Sequence, residues 1–205
     1  DRSPSRGLGD VYKRQIYTII KLIRCGGRLK RLYAAVINLL AAGLAVYAGF
    51  CMLWGVYYYG DDFMTRSGLK NDNISVEQLE TVTEYFAALV NEYSSQEPRD
   101  ADGNYVADRD AILRRSNEVY ANVEETLPCL SGPAVRAKGV YFSRVMSYTD
   151  FTGFFFPFTA EANVNTDFPP ALFASTVAHE LAHQRGVAKE QEANFAAVLA
   201  SLEYG

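Results

Sequence analysis

One uncharged run restricts the folds open to this chain more than any other feature. Residues 32–60 contain no Asp, Glu, Lys or Arg and are almost entirely apolar. About 20 apolar residues suffice for a helix to cross the hydrocarbon core of a bilayer. The run is longer than the apolar region of a signal peptide and longer than most buried core helices. It therefore predicts a transmembrane helix over residues 32–60.

The charges on either side of this run predict its orientation. Residues 1–31 carry nine Lys and Arg against two Asp, whereas residues 61–205 carry eleven Lys and Arg against twenty-two Asp and Glu. Basic flanks stay in the cytoplasm. Residues 16–31 are thus expected to be a basic cytoplasmic segment, and the acidic remainder of a cell-membrane protein is expected on the extracytoplasmic side. The acidic charge argues against nucleic acid as a partner.

Both ends of the sequence are expected to depart from the intact protein. Residues 1–15, DRSPSRGLGDVYKRQ, show no periodicity and no initiator Met. They resemble a translated sequencing adapter and are interpreted as a non-native leader. At the other end the sequence stops inside a predicted helix, so the outer domain is expected to be truncated at its C-terminus.

The remainder of the chain predicts a mainly α fold with a small β element. Residues 61–73 are polar and are interpreted as a connector. Ser75 and Gln78 have capping-box spacing and open a helix. This helix and a second one over residues 112–127 carry apolar stripes, so both are expected to pack in the core. Extended segments are predicted at 151–159 and 161–165, and helices at 170–185 and 189–204, with Gly186 ending the first of these.

Both histidines of the chain fall in one pentapeptide, HELAH. His179 and His183 are four residues apart, which places them on one face of the predicted helix 170–185. Two imidazoles in this arrangement can bind one Zn²⁺. Glu180 points about 100° away around the helix, so it flanks the metal as a candidate general base. Two ordinary solvated or core histidines remain the simpler alternative, which the spacing disfavours.

A catalytic zinc site needs a third protein ligand. No third His exists, so the candidates are Cys129 and the carboxylates that follow Gly186. Nothing around Cys129 indicates a site, and a small buried hydrophobe is its expected role. Glu192, in the first turn of the next helix, is the preferred ligand, and Glu190 is the alternative.

These motifs resemble a bacterial domain-of-unknown-function family of membrane-anchored, zinc-metallopeptidase-like proteins. The resemblance covers about residues 16–205 and is carried by HELAHQRG at 179–186, EANFA at 192–196, PFTAEANVN at 157–165 and WGVYY at 54–58. It implies a zincin-like (HExxH) α+β domain over residues 74–205. EANFA is also similar to the third-ligand helix of gluzincin peptidases, which implies Glu192 as a ligand. Unlike thermolysin-like gluzincins, this chain has Ala196 where an orienting Asp would follow.

The expected function is that of a membrane-anchored, zinc-dependent metallopeptidase. Zinc-activated water would hydrolyse a peptide bond of a peptide or protein substrate, with Glu180 as the general base. The extended segment 154–165 is expected to bind the substrate strand, with Glu161 and Asn163 as possible substrate or metal-supporting groups. Arg185 and Tyr148 are the candidates for stabilising the oxyanion.

Two other functions remain open at this stage. The chain can be a non-hydrolytic, zinc-binding membrane sensor built on a metallopeptidase fold, or a scaffold whose metal is structural. Glu180 separates these possibilities, because a purely structural site does not need an acid beside its first ligand.

Overall fold

The computed structural model describes residues 13–21, 27–69 and 74–204. Most of the expected leader and the end of the expected connector, residues 1–12 and 70–73, lie outside the described residues. The chain divides into two compact units, residues 1–49 and residues 50–205.

The described residues of the N-terminal part are largely helical. Residues 13–21 form α1, and α2 (Arg28–Leu53) has no buried residue. By its length and composition, α2 is able to cross a membrane. It ends before the predicted residue 60, because Gly55–Tyr58 continues the chain as a tighter 3₁₀ helix.

The second unit is mainly helical and contains one small sheet. Its helices are α3 (Phe63–Ser67), α4 (Val76–Ser94), α5 (Arg109–Arg115), α6 (Val123–Thr126), α7 (Ser143–Ser147), α8 (Pro170–Gln184) and α9 (Glu190–Tyr204). Its strands are β1 (Lys138–Gly139), β2 (Gly153–Phe156) and β3 (Glu161–Val164). The predicted mainly α architecture with a small β element is therefore confirmed.

The sheet leaves β2 at an edge. The strand order is β1-β3-β2, with β3 parallel to β1 and antiparallel to β2. Gly153 pairs with Val164 and Phe156 with Glu161. Side chains alternate along β3, so Ala162 and Val164 enter the core while their neighbours face outward. Among the described residues, the outer backbone edge of β2 has no strand partner.

The core of the second unit lies around α8. This helix packs against α9, β2 and β3 and contributes fully buried Phe173 and Leu181. Burying one such side chain stabilises a fold by roughly 1.5–3 kcal/mol. Consequently α8, which carries both histidines, is one of the most firmly held elements of the unit.

Two helical predictions need correction. The capping box of Ser75 and Gln78 opens α4 as predicted, but α4 has no buried residue, and its stripe residues Val76, Leu79 and Val82 are each at least half exposed. The predicted helix 112–127 is broken into α5, a 3₁₀ turn and α6. At the break, the Ser116 hydroxyl donates to Leu113 O and accepts from Ala137 N, so it binds the backbone locally.

Residues 61–69, the described part of the expected connector, belong to the folded unit. Phe63 is 0% exposed and belongs to the core cluster, and Asp62 caps α3 by accepting from the Thr65 backbone N–H. Polar composition suggested a linker, whereas a single buried aromatic residue fixes this stretch to the fold.

Gly186 ends α8 in a left-handed conformation with φ 78°. Its N–H donates to His183 O, and the N–H of Val187 donates to Ala182 O, which is a Schellman ending. A Cβ atom on Gly186 would lie only 2.8 Å from Tyr57 Cε1. The turn that leads from α8 to α9 thus requires glycine for two independent reasons.

Replacing Gly186 by Ala is expected to destabilise the second unit. A left-handed conformation costs an L residue about 1–2 kcal/mol, and the contact with Tyr57 adds to this cost. Gly103→Ala is the matched control, because Gly103 has φ 83° and no atom within 4 Å of the position of a Cβ. Denaturant unfolding followed by Trp54 fluorescence should show a larger loss for Gly186→Ala. Equal losses would mean that the Tyr57 contact imposes no constraint.

Candidate metal centre

Three side chains from α8 and α9 converge on one point. The rings of His179 and His183 are 4.6 Å apart and nearly perpendicular. Glu190 Oε2 lies 3.1 Å from His179 Nε2, and Glu190 Oε1 lies 3.5 Å from His183 Nε2. Ligands of a tetrahedral zinc ion with bonds near 2.0–2.1 Å are separated by about 3.3 Å. The spacing of these atoms therefore fits a zinc-sized ion, and all three candidate ligand atoms lie within 4.8 Å of one another.

Hydrogen bonds fix how both imidazoles face this point. His183 Nδ1 lies 2.7 Å from Val187 O, and His179 Nδ1 lies 2.9 Å from Asn194 Oδ1. A carbonyl oxygen can only accept, so each Nδ1 carries a proton, and in the neutral imidazole Nε2 then presents a lone pair. This is the usual arrangement of metal-binding histidines, whose second nitrogen donates to an oxygen acceptor.

The electrostatics of the cluster favour a cation between these atoms. Burial lowers the pKa of the His183 imidazole, which keeps the ring in the neutral form that binds metals. His183 Nε2 faces Oε1 of the Glu190 carboxylate at 3.5 Å. A divalent ion between the two atoms would provide both with a partner. The chemistry of the donors, two nitrogens and one oxygen, also suits zinc.

Asn194 supplies the orienting group that the sequence seemed to lack. It follows Glu190 by four residues, so the two side chains lie one turn apart on the same face of α9. Counting four residues from Glu192 leads to Ala196, which cannot orient a histidine. Counting from Glu190 leads to Asn194, whose Oδ1 lies 2.9 Å from His179 Nδ1, an amide at the place where thermolysin-like gluzincins have an Asp.

Glu192, the ligand preferred from the sequence, does not join this cluster. Its side chain is buried, and its Oε2 accepts from the Phe63 backbone N–H at 3.0 Å. Its Oε1 lies 3.7 Å from Lys189 Nζ. The candidate cluster therefore contains His179, His183 and Glu190, the alternative named from the sequence, and leaves out Glu192. Two residues correspond to about 200° of rotation around a helix, so the carboxylates of Glu190 and Glu192 point in opposite directions.

Glu180 lies where a proton acceptor is expected. It is buried, and its Oε2 has no hydrogen-bond partner among the described residues. Desolvation, with a contribution from the negative charge of Glu190, raises the pKa of its carboxyl to about 8. A cation beside it would act in the opposite direction. A buried carboxyl oxygen without a hydrogen-bond partner is costly.

The edge strand β2 closes over Glu180. A Cβ atom on Gly153 would lie 2.6 Å from Glu180 Oε1 and 2.9 Å from Asn163 O, so only glycine allows this approach. A cavity of about 410 Å³ opens here, between β2 and the histidines. Its lining comprises Trp54, Thr149, Asp150, Phe151, Thr152, Gly153, Phe154, Phe155, His179, Glu180, His183 and Glu190.

A second, larger groove of about 730 Å³ begins at the same ligands and runs between α8 and α9. His179, Glu190 and Asn194 line its near end, and Val198 and Leu202 line its far end. The candidate metal centre therefore lies where two open spaces meet, so a ligand on either side can reach it.

The other residues singled out in the sequence lie elsewhere. Glu161 forms an ion pair with Lys138, which lowers the pKa of its carboxyl, and Asn163 donates to the Glu161 carbonyl at 3.0 Å. Arg185 pairs with Glu124, and its guanidinium covers the Tyr120 ring. None of these side chains lines the cavity, and neither do Tyr148 and Cys129.

Sequence reasoning missed Trp54 as part of the site. Its ring lies 5.6 Å from the His183 ring, edge to face, and 5.0 Å from the Phe155 ring. In the sequence it lies at the end of the apolar run, where aromatic residues are expected for reasons unrelated to a metal. No local signal distinguishes these two roles. The four-residue spacing between Glu190 and Asn194 could have identified Asn194 from the sequence. This required taking Glu190 instead of Glu192 as the candidate ligand.

A mainly helical chain with a His-His-Glu cluster between two helices can be compared with known proteins. Residues 11–204 match the family described as proteins of unknown function, DUF3810. The match covers nearly the whole chain, and the chain belongs to this family. No curated protein and no solved structure matches it. The expected family is thus confirmed as an uncharacterised one, and its metallopeptidase character stays a prediction.

Isosteric substitutions at Glu190 and Glu192 separate the two possible ligands. Glu190→Gln removes the anionic ligand and is expected to weaken zinc binding by more than about 100-fold, which exceeds the usual loss for a group that only supports a ligand. Glu192→Gln still accepts from Phe63 N–H and should change zinc affinity less than threefold or so. Competition with a chromophoric chelator measures both. Zinc lost only from the Glu192 variant would restore the ligand set predicted from the sequence.

Removing the Asn194 amide tests the orienting role. Asn194→Ala leaves His179 free to rotate and is expected to weaken zinc binding about 10–100-fold. Ser201→Ala is the control, since Ser201 lines the same groove but its hydroxyl donates to Ala197 O within α9. The same chelator competition applies. An Asn194→Ala variant with wild-type affinity would show that the His179 ring needs no support from this amide.

Proposed function

We propose that this protein is a membrane-anchored, zinc-dependent peptidase. His179, His183 and Glu190 would hold the metal, and Glu180 would act as the general base. The observation that carries the proposal is the combination of two Nε2 lone pairs aimed at one carboxylate with a buried, unpartnered acid directly beside them. A purely structural metal site would have no use for this acid.

Zn²⁺ bound at this centre would act as a Lewis acid that polarises a peptide carbonyl and lowers the pKa of water. The residues of the chain supply the remaining functions. Glu180 Oε2 has no competing donor, so it is free to accept a proton from the attacking water and return it to the leaving amine. Gly153 keeps β2 close to this carboxylate and limits the space open to bulk water.

The edge strand β2 supports a peptide as the substrate. An extended chain can add to a free sheet edge through backbone hydrogen bonds, whatever its sequence. Because Gly153, Phe154 and Phe155 also line the cavity, a peptide bound along β2 would pass the three proposed ligands. The groove between α8 and α9 offers space for side chains beyond the scissile bond.

The apolar helix α2 supports membrane anchoring with the second unit outside the cell membrane. Lys21, Arg28, Lys30 and Arg31 precede the uncharged stretch of the chain, and Asp61 and Asp62 follow it. This asymmetry is typical of a cytoplasmic N-terminal side.

One observation favours a second candidate, a non-hydrolytic zinc-binding sensor. Gluzincins usually have a His or Tyr that donates to the oxyanion, yet no Tyr and no further His line the described cavity. Backbone N–H groups at the free edge of β2 are the alternative donors available to a peptidase. The two candidates differ in whether Glu180 is required.

Glu180→Gln decides between them. This variant keeps the size of the side chain and should still bind zinc, but it cannot accept a proton. Cleavage of a denatured-protein or peptide library by the zinc-loaded chain is expected to fall at least 100-fold, the scale of general-base catalysis. Mass spectrometry of the products and zinc analysis of both proteins measure the effect. Cleavage that survives the substitution, or no cleavage by the wild-type protein, would contradict the peptidase proposal.

A further inference from the structure

We infer that this metal centre acts at the membrane surface, on peptide segments a few residues away from a membrane anchor. The inference rests on the proposed function, because it names the class of substrate for the same site. It depends on chain connectivity and on contacts within the second unit.

The end of α2 lies close to the proposed metal ligands. Leu53 is the last residue of α2, and Trp54 follows it directly. The Trp54 ring lies 5.6 Å from the His183 ring and lines the same cavity as His179 and Glu190. One peptide bond and one ring contact thus separate the end of the apolar helix from the ligands.

The segment after Trp54 is held in place by several contacts with the rest of the unit. Tyr58 OH donates to Ala188 O, Asp62 pairs with Lys189, and Phe63 N–H donates to Glu192. Arg66 donates to Gly186 O. Four contacts therefore attach residues 58–66 to the turn between α8 and α9 and to the first turn of α9. The ligands cannot move away from the end of α2 on a flexible tether unless these contacts break.

The length of the uncharged part of α2 places Trp54 in the headgroup layer. The uncharged part of α2, residues 32–53, is about 33 Å long at 1.5 Å per residue. The hydrocarbon core is about 30 Å thick. A span that fills the core therefore ends close to Leu53, and the next residue is a tryptophan, which favours the interface. The ligands then lie within or just outside the headgroup layer, which is roughly 5–7 Å thick on each side.

Exposed aromatic side chains near the cavity agree with this depth. Tyr148, which precedes Thr149 of the cavity wall, is 82% exposed. Phe151 belongs to the wall itself and is more than half exposed. Exposed rings are costly in water, whereas the headgroup region accommodates them.

The depth limits which peptides can reach the site. An extended peptide advances about 3.3 Å per residue, so four to eight residues outside an anchor suffice to cross the headgroups and lie along β2. Segments of this kind occur just outside transmembrane helices and lipid anchors. Free peptides and distant loops must instead approach the headgroup layer from solution.

The test uses the full chain, loaded with zinc, in liposomes. A sequence that the library experiment shows to be cleaved is fused to an apolar anchor helix, with the scissile bond about 6 or about 40 residues outside the anchor. Both substrates are tethered, so the long version controls for local concentration. The short version is expected to be cleaved at least about tenfold faster than the long version. Equal rates, or faster cleavage of the long version, would overturn the inference and leave the proposed function intact.

A second measurement does not depend on activity. Trp54 is the only tryptophan of the chain, so its fluorescence reports on this position alone. Lipids brominated near the headgroup end of their acyl chains are expected to quench it more than lipids brominated near the bilayer centre. Co²⁺ added in place of zinc should quench the same residue, and His179→Ala should abolish only the cobalt effect. Quenching by neither lipid would overturn the inference, even if peptides are cleaved.

Discussion

The described site depends on the turn between α8 and α9. Within a few residues this turn ends one helix at Gly186, offers Val187 O to His183 and starts the helix that carries both Glu190 and Asn194. If the turn changes shape, one imidazole loses its acceptor while the third ligand loses its direction. This dependence explains why Tyr57, Tyr58 and Arg66 all pack on or bind to so short a stretch.

These contacts also make the residues after α2 part of the candidate metal centre. A separate linker would be expected to be polar and exposed, yet Phe63 is fully buried and its N–H is bound to a buried carboxylate. Glu192 thus serves the site indirectly: it fixes α3 against α9 and leaves Glu190 to face the histidines. Helices that carry two nearby acids can divide structural and chemical roles in this way, because two residues turn the side chain by about 200°.

The sequence was sufficient to predict features that depend on local rules. The spacing of His179 and His183, the capping box at Ser75 and the glycine after α8 each follow from a few neighbouring residues, and the described structure has all three. The choice between Glu190 and Glu192 was not of this kind. It depends on how α9 rotates against α8, which is decided by packing and by the Phe63 N–H more than 120 residues away. The break at Ser116 likewise depends on the Ala137 N–H, which lies 21 residues away in the sequence. The exposure of α4 depends on which other elements of the unit pack against it.

The division of roles between the acids also bears on the choice between a peptidase and a sensor. A sensor would need the candidate ligands and the contacts with Trp54 and residues 58–66, since these link the cluster to the end of α2. It does not need Glu180, whose buried Oε2 has no hydrogen-bond partner among the described residues. Neither does it need Gly153, which brings β2 so close to that carboxylate that no side chain fits. A sensor explains neither feature, whereas a proton acceptor held beside an edge strand explains both. The physical cost of Glu180 is therefore the strongest argument for hydrolysis.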